Sequence, residues 1–432
     1  MSRVVIFSAS VGAGHDSAAA ALADRLSARG FAVDRHDFLT LMPAGRAVCE
    51  SYKRIITHAP KVYQCIYSRT ERTARPGLVQ RRLLKGAEQA VLAAIPADAV
   101  AAVATYPLAA QVLARLRASG RLRVPVVVTF TDFSVHPLWI AEGVDLYLAS
   151  HAVTAGQAVE HVVGGGGGTG FGAGTGACVG VGVGVGAGMG AGADASVGMG
   201  MGIGMGERTG AGRVAVARPL VSQRFVRRSS AERLAARARF GLSGAEKPLA
   251  LLLGGSWGVG DIAETAFDLA ASGVVTPVVV CGRNETLRRR LRAAGLPHVF
   301  GWVGDMPTLM AACDVMVQNA GASSTLEAFA SGLPVATYRS LVGHGRTNAA
   351  VLDEAGLATW IRTPEELPGA LLELTSGLRG LRQRKAGLAM VGEGAAPDEL
   401  IVALLRELGW LGNEAGGVGH TAGAVSPEFA VV

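Results

Sequence analysis

The sequence predicts an α/β fold of two doubly wound domains facing each other across a cleft. Three observations carry this. Short apolar runs of strand length recur along the chain, with helical patterns between them. Several of these runs end in loops rich in glycine, serine and asparagine that open directly into a helix. The series then repeats after an interruption, and 432 residues suit two domains at roughly 100–200 residues each.

The first element is the run Val4-Val5-Ile6-Phe7, read as a buried strand over residues 3–8. A glycine loop follows, then an alanine-rich helix over 16–29. Gly30 ends that helix, and Phe31-Ala32-Val33 begins a second strand. Strand, loop, helix and strand in this order form a βαβ unit, which implies a parallel sheet. Further buried strands are expected at 100–105, 124–129 and 144–149, with a helix over 107–119. Residues 164–212 differ: their glycine alternates with small or apolar residues and offers no face of large side chains. This composition predicts a disordered insertion. A strand resumes at 213–217, and Pro219 with the basic run 224–228 connects to the second domain. There, strands are expected at 249–253, 275–281, 298–303, 314–318 and 334–338. The resulting domains are 1–163 with 213–228, then 229–392, followed by a C-terminal helix at 393–410 and a disordered tail at 411–432.

Half the residues are hydrophobic, enough for a core in each domain, and the net charge is +7. That balance suits an anionic partner without choosing among nucleic acid, membrane and phosphorylated ligand. The five cysteines are odd in number and widely spaced, which argues against a disulfide framework and a structural zinc site. The N-terminal apolar run is too short for a signal peptide, and no run outside the glycine tract is long enough to span a membrane.

Three groups of residues carry chemistry. The loop Ser10-Val11-Gly12-Ala13-Gly14-His15 joins the first strand to a helix N-terminus, where glycines permit close approach and backbone N–H groups attract an anion. A dinucleotide fingerprint is the competing reading, with Ser17 at its third glycine position and Asp34 or Asp37 near the ribose acid. His15 serves either as a general base or as a cap and phosphate ligand. The second group is Asp132 with His136 and Trp139 after the strand at 124–129. Asp132 orients His15, acts as base itself, holds an acceptor hydroxyl, or merely shapes a turn. His15, Asp132 and His136 match no strong metal spacing. The third group follows the strands of the second half. It comprises Ser256 in Gly254-Gly255-Ser256-Trp257-Gly258, Arg283 after Cys281-Gly282, and Val303 after Gly301-Trp302. Its most telling part is Gly321-Ala322-Ser323-Ser324 opening a helix that carries Glu327. A helix N-terminus with hydroxyls suits a diphosphate, and Glu327 one turn on suits ribose hydroxyls; a capping arrangement with a solvated Glu327 is the competing reading. His344 and Asn348 precede another helix and are placed to touch the sugar.

These motifs together resemble the monogalactosyldiacylglycerol synthase and diacylglycerol glucosyltransferase family, two-domain GT-B enzymes with Rossmann-like halves. The resemblance covers about residues 3–160 and 213–410; the glycine-rich insertion has no counterpart. It implies an inverting hexosyltransferase that moves a sugar from a UDP-sugar to a lipid such as diacylglycerol, with no cofactor, no metal and no nucleic acid. Gly12, Gly14, His15 and Asp132 would form the acceptor side. Ser256, Arg283, Val303, Gly321, Ala322, Ser323, Ser324, Glu327, His344 and Asn348 would form the donor side. Where relatives often carry Gly-Gln-Glu and then Asn, this chain has Gly343-His344-Gly345 and Asn348, which leaves the donor sugar open. The basic residues Arg69, Arg72, Arg75, Arg81, Arg82 and Lys85, mixed with Leu78, Val79, Leu83 and Leu84, form either a surface for an anionic membrane or a solvated basic helix face. The expected location is the cytoplasm, peripherally at the inner face of the plasma membrane. A transferase with a soluble acceptor, a UDP-sugar epimerase, and a dinucleotide-dependent oxidoreductase or nucleotide-binding module are the alternatives.

Overall fold

The computed structural model describes residues 1–73, 77–163, 212–319 and 321–412. Among these residues, twelve strands form two six-stranded sheets. The first holds β1 (Arg3–Ser8), β2 (Ala32–Asp37), β3 (Ala99–Ala104), β4 (Val126–Thr129), β5 (Leu146–Ala149) and β6 (Arg213–Val216), in the order β2-β1-β3-β4-β5-β6. The second holds β7 (Leu249–Leu253), β8 (Thr276–Val280), β9 (His298–Phe300), β10 (Val315–Gln318), β11 (Val335–Tyr338) and β12 (Thr359–Ile361), in the order β12-β11-β10-β7-β8-β9. Every pairing is parallel.

Parallel strands need helical crossovers, so helices cover both faces and the strands are apolar on both sides. Alternation along β1 shows this directly. Val5 and Phe7 enter one core, whereas Val4 and Ile6 enter the core on the opposite face. In β7, Leu249, Leu251 and Leu253 lie in one core and Ala250 and Leu252 in the other.

The strand orders place the functional loops. In the first sheet the chain runs outward from β1 to β2 and then returns to β3 on the other side of β1. In the second it leaves β7 for β8 and β9 and returns to β10 on the other side of β7. At such switch points the adjoining loops diverge and leave a crevice at the carboxyl ends of the strands. The loops after β1, β3, β7 and β10 therefore frame one cleft.

The C-terminal helix, expected at 393–410, runs over Pro397–Glu407 and buries Leu400, Ile401, Leu404 and Leu405 against Val4, Ile6 and Leu22, completing the N-terminal domain. Asp398 pairs with Arg29 and Arg25, and Arg213 pairs with Glu407, fixing it there. One expectation is corrected: not all the apolar residues of the segment 69–85 face outward. Leu84 is fully buried in the core and Leu83 packs beside it. The reason is helical period: within Leu78–Ala93, Leu84, Ala87 and Val91 share one inward face, while Arg81, Arg82 and Lys85 point to solvent. Arg75 and the side chains of Leu78 and Val79 lie outside the described residues. So do the glycine tract up to residue 211 and the tail from 413, for which disorder is expected. Gly212 leads straight into β6, and Trp410 and Leu411 still pack on the core.

Candidate functional site

A cleft of about 630 Å³ lies between the two sheets. Of the residues singled out by sequence, Gly12, Gly14, His15, Asp132, Ser256, Val303, Gly321, Ala322, Ser323, Ser324, Glu327 and His344 line it. Arg283 and Asn348 do not.

On the N-terminal side, β1 ends at Ser8 and the chain turns through Gly12 at φ +82°, a left-handed conformation that glycine adopts without strain. Asp16 ties this loop by accepting hydrogen bonds from Ser8 Oγ at 2.6 Å and Ser10 Oγ at 3.1 Å. Gly14 opens the helix Gly14–Ala28, and a Cβ there would sit 2.7 Å from Ser323 Oγ. The lack of a side chain lets the two helix N-termini meet across the cleft.

His15 occupies the first turn of that helix. Its Nδ1 lies 2.7 Å from the Thr105 carbonyl oxygen and 3.0 Å from Thr131 Oγ1. A carbonyl oxygen only accepts, so Nδ1 carries the proton and Nε2 keeps its lone pair. Burial holds the imidazole pKa below its ordinary value, although the Asp132 charge opposes this. A neutral Nε2 is what a proton acceptor near pH 7 requires. Thr105 and Thr131, rather than Asp132, set the ring's orientation.

His136 contrasts with His15. Its Nδ1 accepts from the Leu138 amide at 3.1 Å, so its Nε2 carries the proton and donates to Thr70 Oγ1 at 3.2 Å. Both nitrogens are engaged, the ring packs 4.7 Å from Tyr67, and burial pushes its pKa down to about 4. Trp139 is buried in the core. Among the described residues, no group of three or more His, Cys, Asp or Glu is placed to hold a metal ion.

On the C-terminal side, β7 leads into Gly254–Gly258 with Gly255 and Gly258 at positive φ. The Arg283 amide donates to the Ser256 carbonyl, locking the loops after β7 and β8 together. The Arg283 side chain is exposed at the rim, with its guanidinium 4.8 Å from the Trp302 ring centre. After β10, Gly321 caps the helix Ala322–Ala330, whose first turn presents Ser323 and Ser324 to the cleft. Burial raises the Glu327 carboxyl pKa to about 7.

The helix His344–Glu354 starts against the N-terminal domain. His344 Nδ1 is 2.8 Å from the Tyr63 hydroxyl, and the Gly343 amide donates to Gln64 Oε1 at 2.8 Å. Asn348 is buried. Its Oδ1 accepts from the Phe133 and Ser134 amides at 3.0 and 2.9 Å, and its Nδ2 donates to Asp132 Oδ1 at 3.1 Å. Asn348, expected to touch the donor's sugar, thus has its carboxamide taken up by the loop that carries Asp132.

Sequence reasoning missed a set of aromatic residues. Tyr52, Tyr63, Tyr67, Tyr106 and Trp257 line the cleft with Val48, Ile55, Ile56 and Ile66. The available signal was Tyr63 and Tyr67 one turn apart on the helix Pro60–Thr73, which places both rings on one face.

Residues 15–164 match the family model described as monogalactosyldiacylglycerol (MGDG) synthase. Over this stretch, about a third of its length, the chain is similar to the MGDG synthase family. One relative, monogalactosyldiacylglycerol synthase 1 of Arabidopsis thaliana, is 30% identical over 131 residues, covering 28% of this chain and 25% of the relative. The processive diacylglycerol beta-glucosyltransferase of Bacillus subtilis (strain 168) is 25% identical over 174 residues, 39% of this chain and 46% of the relative. The chain thus matches between a quarter and a half of the length of these family members. Among solved structures, the calicheamicin glycosyltransferase CalG4 superposes with a TM-score of 0.51 at 13% identity, covering 94% of this chain and 99% of that one. The fold is GT-B: two Rossmann-like domains with parallel sheets.

Proposed function

We propose that this protein is an inverting glycosyltransferase that moves a hexose from a UDP-sugar to a lipid acceptor such as diacylglycerol. The observation that carries the reading is the facing pair across one cleft. His15, with an unprotonated Nε2, stands opposite the N-terminus of the helix Ala322–Ala330. An acceptor hydroxyl between them loses its proton to Nε2 while its oxygen attacks the anomeric carbon. The bond to the nucleoside diphosphate breaks on the opposite side, and the helix N-terminus with Ser323 and Ser324 takes up the departing negative charge. Asp132 stabilises the imidazolium as it forms, since its charge favours protonated His15. A positioned general base contributes about 10²–10⁴ in rate. Transfer needs no metal in this scheme.

The acceptor half of the cleft is walled by Val48, Tyr52, Ile55, Ile56, Ile66 and Leu138, which suits an acyl chain better than a polar aglycone. Ile66 and Val62 are also exposed on the helix Pro60–Thr73, beside Arg69 and Arg72. Apolar and basic side chains together support peripheral contact with an anionic leaflet at the inner face of the plasma membrane. Among the described residues, no helix is long and apolar enough to cross a membrane.

The test is UDP release from a panel of UDP-sugars, with and without anionic liposomes containing diacylglycerol. Liposome-dependent release with a new glycolipid is expected. Release without liposomes would move the acceptor to a soluble molecule, and conversion of the sugar alone would make the protein an epimerase. His15→Ala is expected to lower kcat at least about 100-fold with little change in donor affinity. Full retention of rate would remove His15 as the base.

A further inference from the structure

We infer that Asn348, on the donor-binding domain, is the positioning residue for Asp132, on the acceptor-binding domain, so that the proton-handling groups are complete only when the domains are closed. The inference rests on the transferase reading above and assigns a role within it. Asn348 is 1% exposed and reaches across the interface to a loop more than two hundred residues earlier. Its Oδ1 takes three donors at 2.9–3.0 Å: the Phe133 amide, the Ser134 amide and Ser134 Oγ. Backbone amides can only donate, which fixes the carboxamide orientation and turns Nδ2 toward Asp132. The carboxylate is thereby held by a side chain of the opposite domain.

The surrounding contacts make this a built clasp. Thr347 Oγ1 is 2.8 Å from Ser134 Oγ and 3.3 Å from the Tyr67 hydroxyl. Gly343 stands at φ +71°, where a Cβ would lie 2.9 Å from the rings of Tyr63 and Tyr67. Helix start and acceptor-side loop therefore dock as one unit. The Asp132 charge bears on His15, His136 and His344 and on the hydroxyls of Tyr52, Tyr63 and Tyr67. Displacing that carboxylate alters the proton acceptor without touching donor contacts. When the domains part, Asp132 loses its anchor, which keeps the base unsupported while water has access.

The test is a double-mutant cycle between Asn348→Ala and Asp132→Asn on the full chain, reading UDP release, UDP binding by calorimetry and the pH–rate profile. Asn348→Ala is expected to lower kcat about 100-fold while UDP affinity stays within about twofold. In the Asp132→Asn background the same change is expected to cost little more, because the charge whose placement Asn348 sets is already gone. Asn348→Asp is close in size and covers the case in which the alanine variant does not fold. It places two carboxylates together, so its rate relative to wild type is expected to rise as pH falls from 8 to 6, when one proton bridges the pair. Additive losses, an unmoved pH profile in Asn348→Asp, or a tenfold weaker UDP affinity with kcat intact would each overturn the assignment. A wild-type protein that releases no UDP from any sugar would instead sink the transferase reading, and the inference with it.

Discussion

A carboxyl group whose proton leaves near neutral pH makes ligand affinity depend on pH, and Glu327 is such a group. It sits one helical turn beyond Ser323 in the cleft wall, and burial raises its pKa to about 7. The sign follows from which form binds. In the proposed donor site ribose hydroxyls would donate to the carboxylate, so below its pKa the protein would have to release a proton to bind the nucleotide. Affinity for UDP-glucose, whose diphosphate has no ionisation in this range, is therefore expected to weaken about tenfold per pH unit below 7 and to level off above it. Glu327→Gln is expected to bind more weakly at pH 8 and to lose the slope. Calorimetry between pH 5.5 and 8.5 measures both. A wild-type profile that stays flat would mean that Glu327 does not meet the ribose. Burial lowers the His15 pKa below its ordinary value, which favours the neutral imidazole near pH 7.

At the scale of elements, the decisive contact is between two helix starts. Gly14 has helical backbone angles, so alanine there fits its own helix and by propensity stabilises it by up to about 1 kcal/mol. The same methyl would press on Ser323 Oγ. Gly14→Ala is thus expected to leave the melting temperature unchanged or slightly higher while kcat/KM falls roughly tenfold. Adding Ser323→Gly is expected to restore part of the loss by making room. A simultaneous drop in stability would place the glycine's role in folding instead. These loops were legible in the sequence because each announces itself: a buried strand run, then glycine and serine, then a helix start at Gly14 or Ala322. The tyrosine wall was not, because Tyr52, Tyr63 and Tyr67 sit on helices between β2 and β3 whose charged residues dominate the pattern. Nor was the role of Asn348. Its partners are Phe133, Ser134 and Asp132, and no local rule connects residues so far apart. The membrane-facing reading of Leu84 failed for a related reason: composition reports that a segment is apolar, but only helical phase says which side is.

For the whole molecule, the chain crosses between the domains twice. It leaves the first sheet after β6, builds the second domain, and returns so that Pro397–Glu407 packs on β1 and the helix Gly14–Ala28. The last helix therefore stabilises the domain made first. Ile401 is fully buried in that contact, so Ile401→Ala is expected to cost about 2–5 kcal/mol. Its position assigns the loss to one sheet. Hydrogen exchange is expected to quicken at β1 and β3, where Val4, Ile6 and Val103 share the core with Ile401, and to stay unchanged at β7 and β10. Equal quickening in both sheets would mean that the domains unfold as one cooperative unit, so that the closing motion is a rearrangement within one folding unit. Protection of β1 left intact would mean that the helix is held chiefly by its ion pairs at Asp398 and Glu407. Quickening confined to the first sheet would establish that each domain keeps its own stability and that the cleft between them opens without loss of either core.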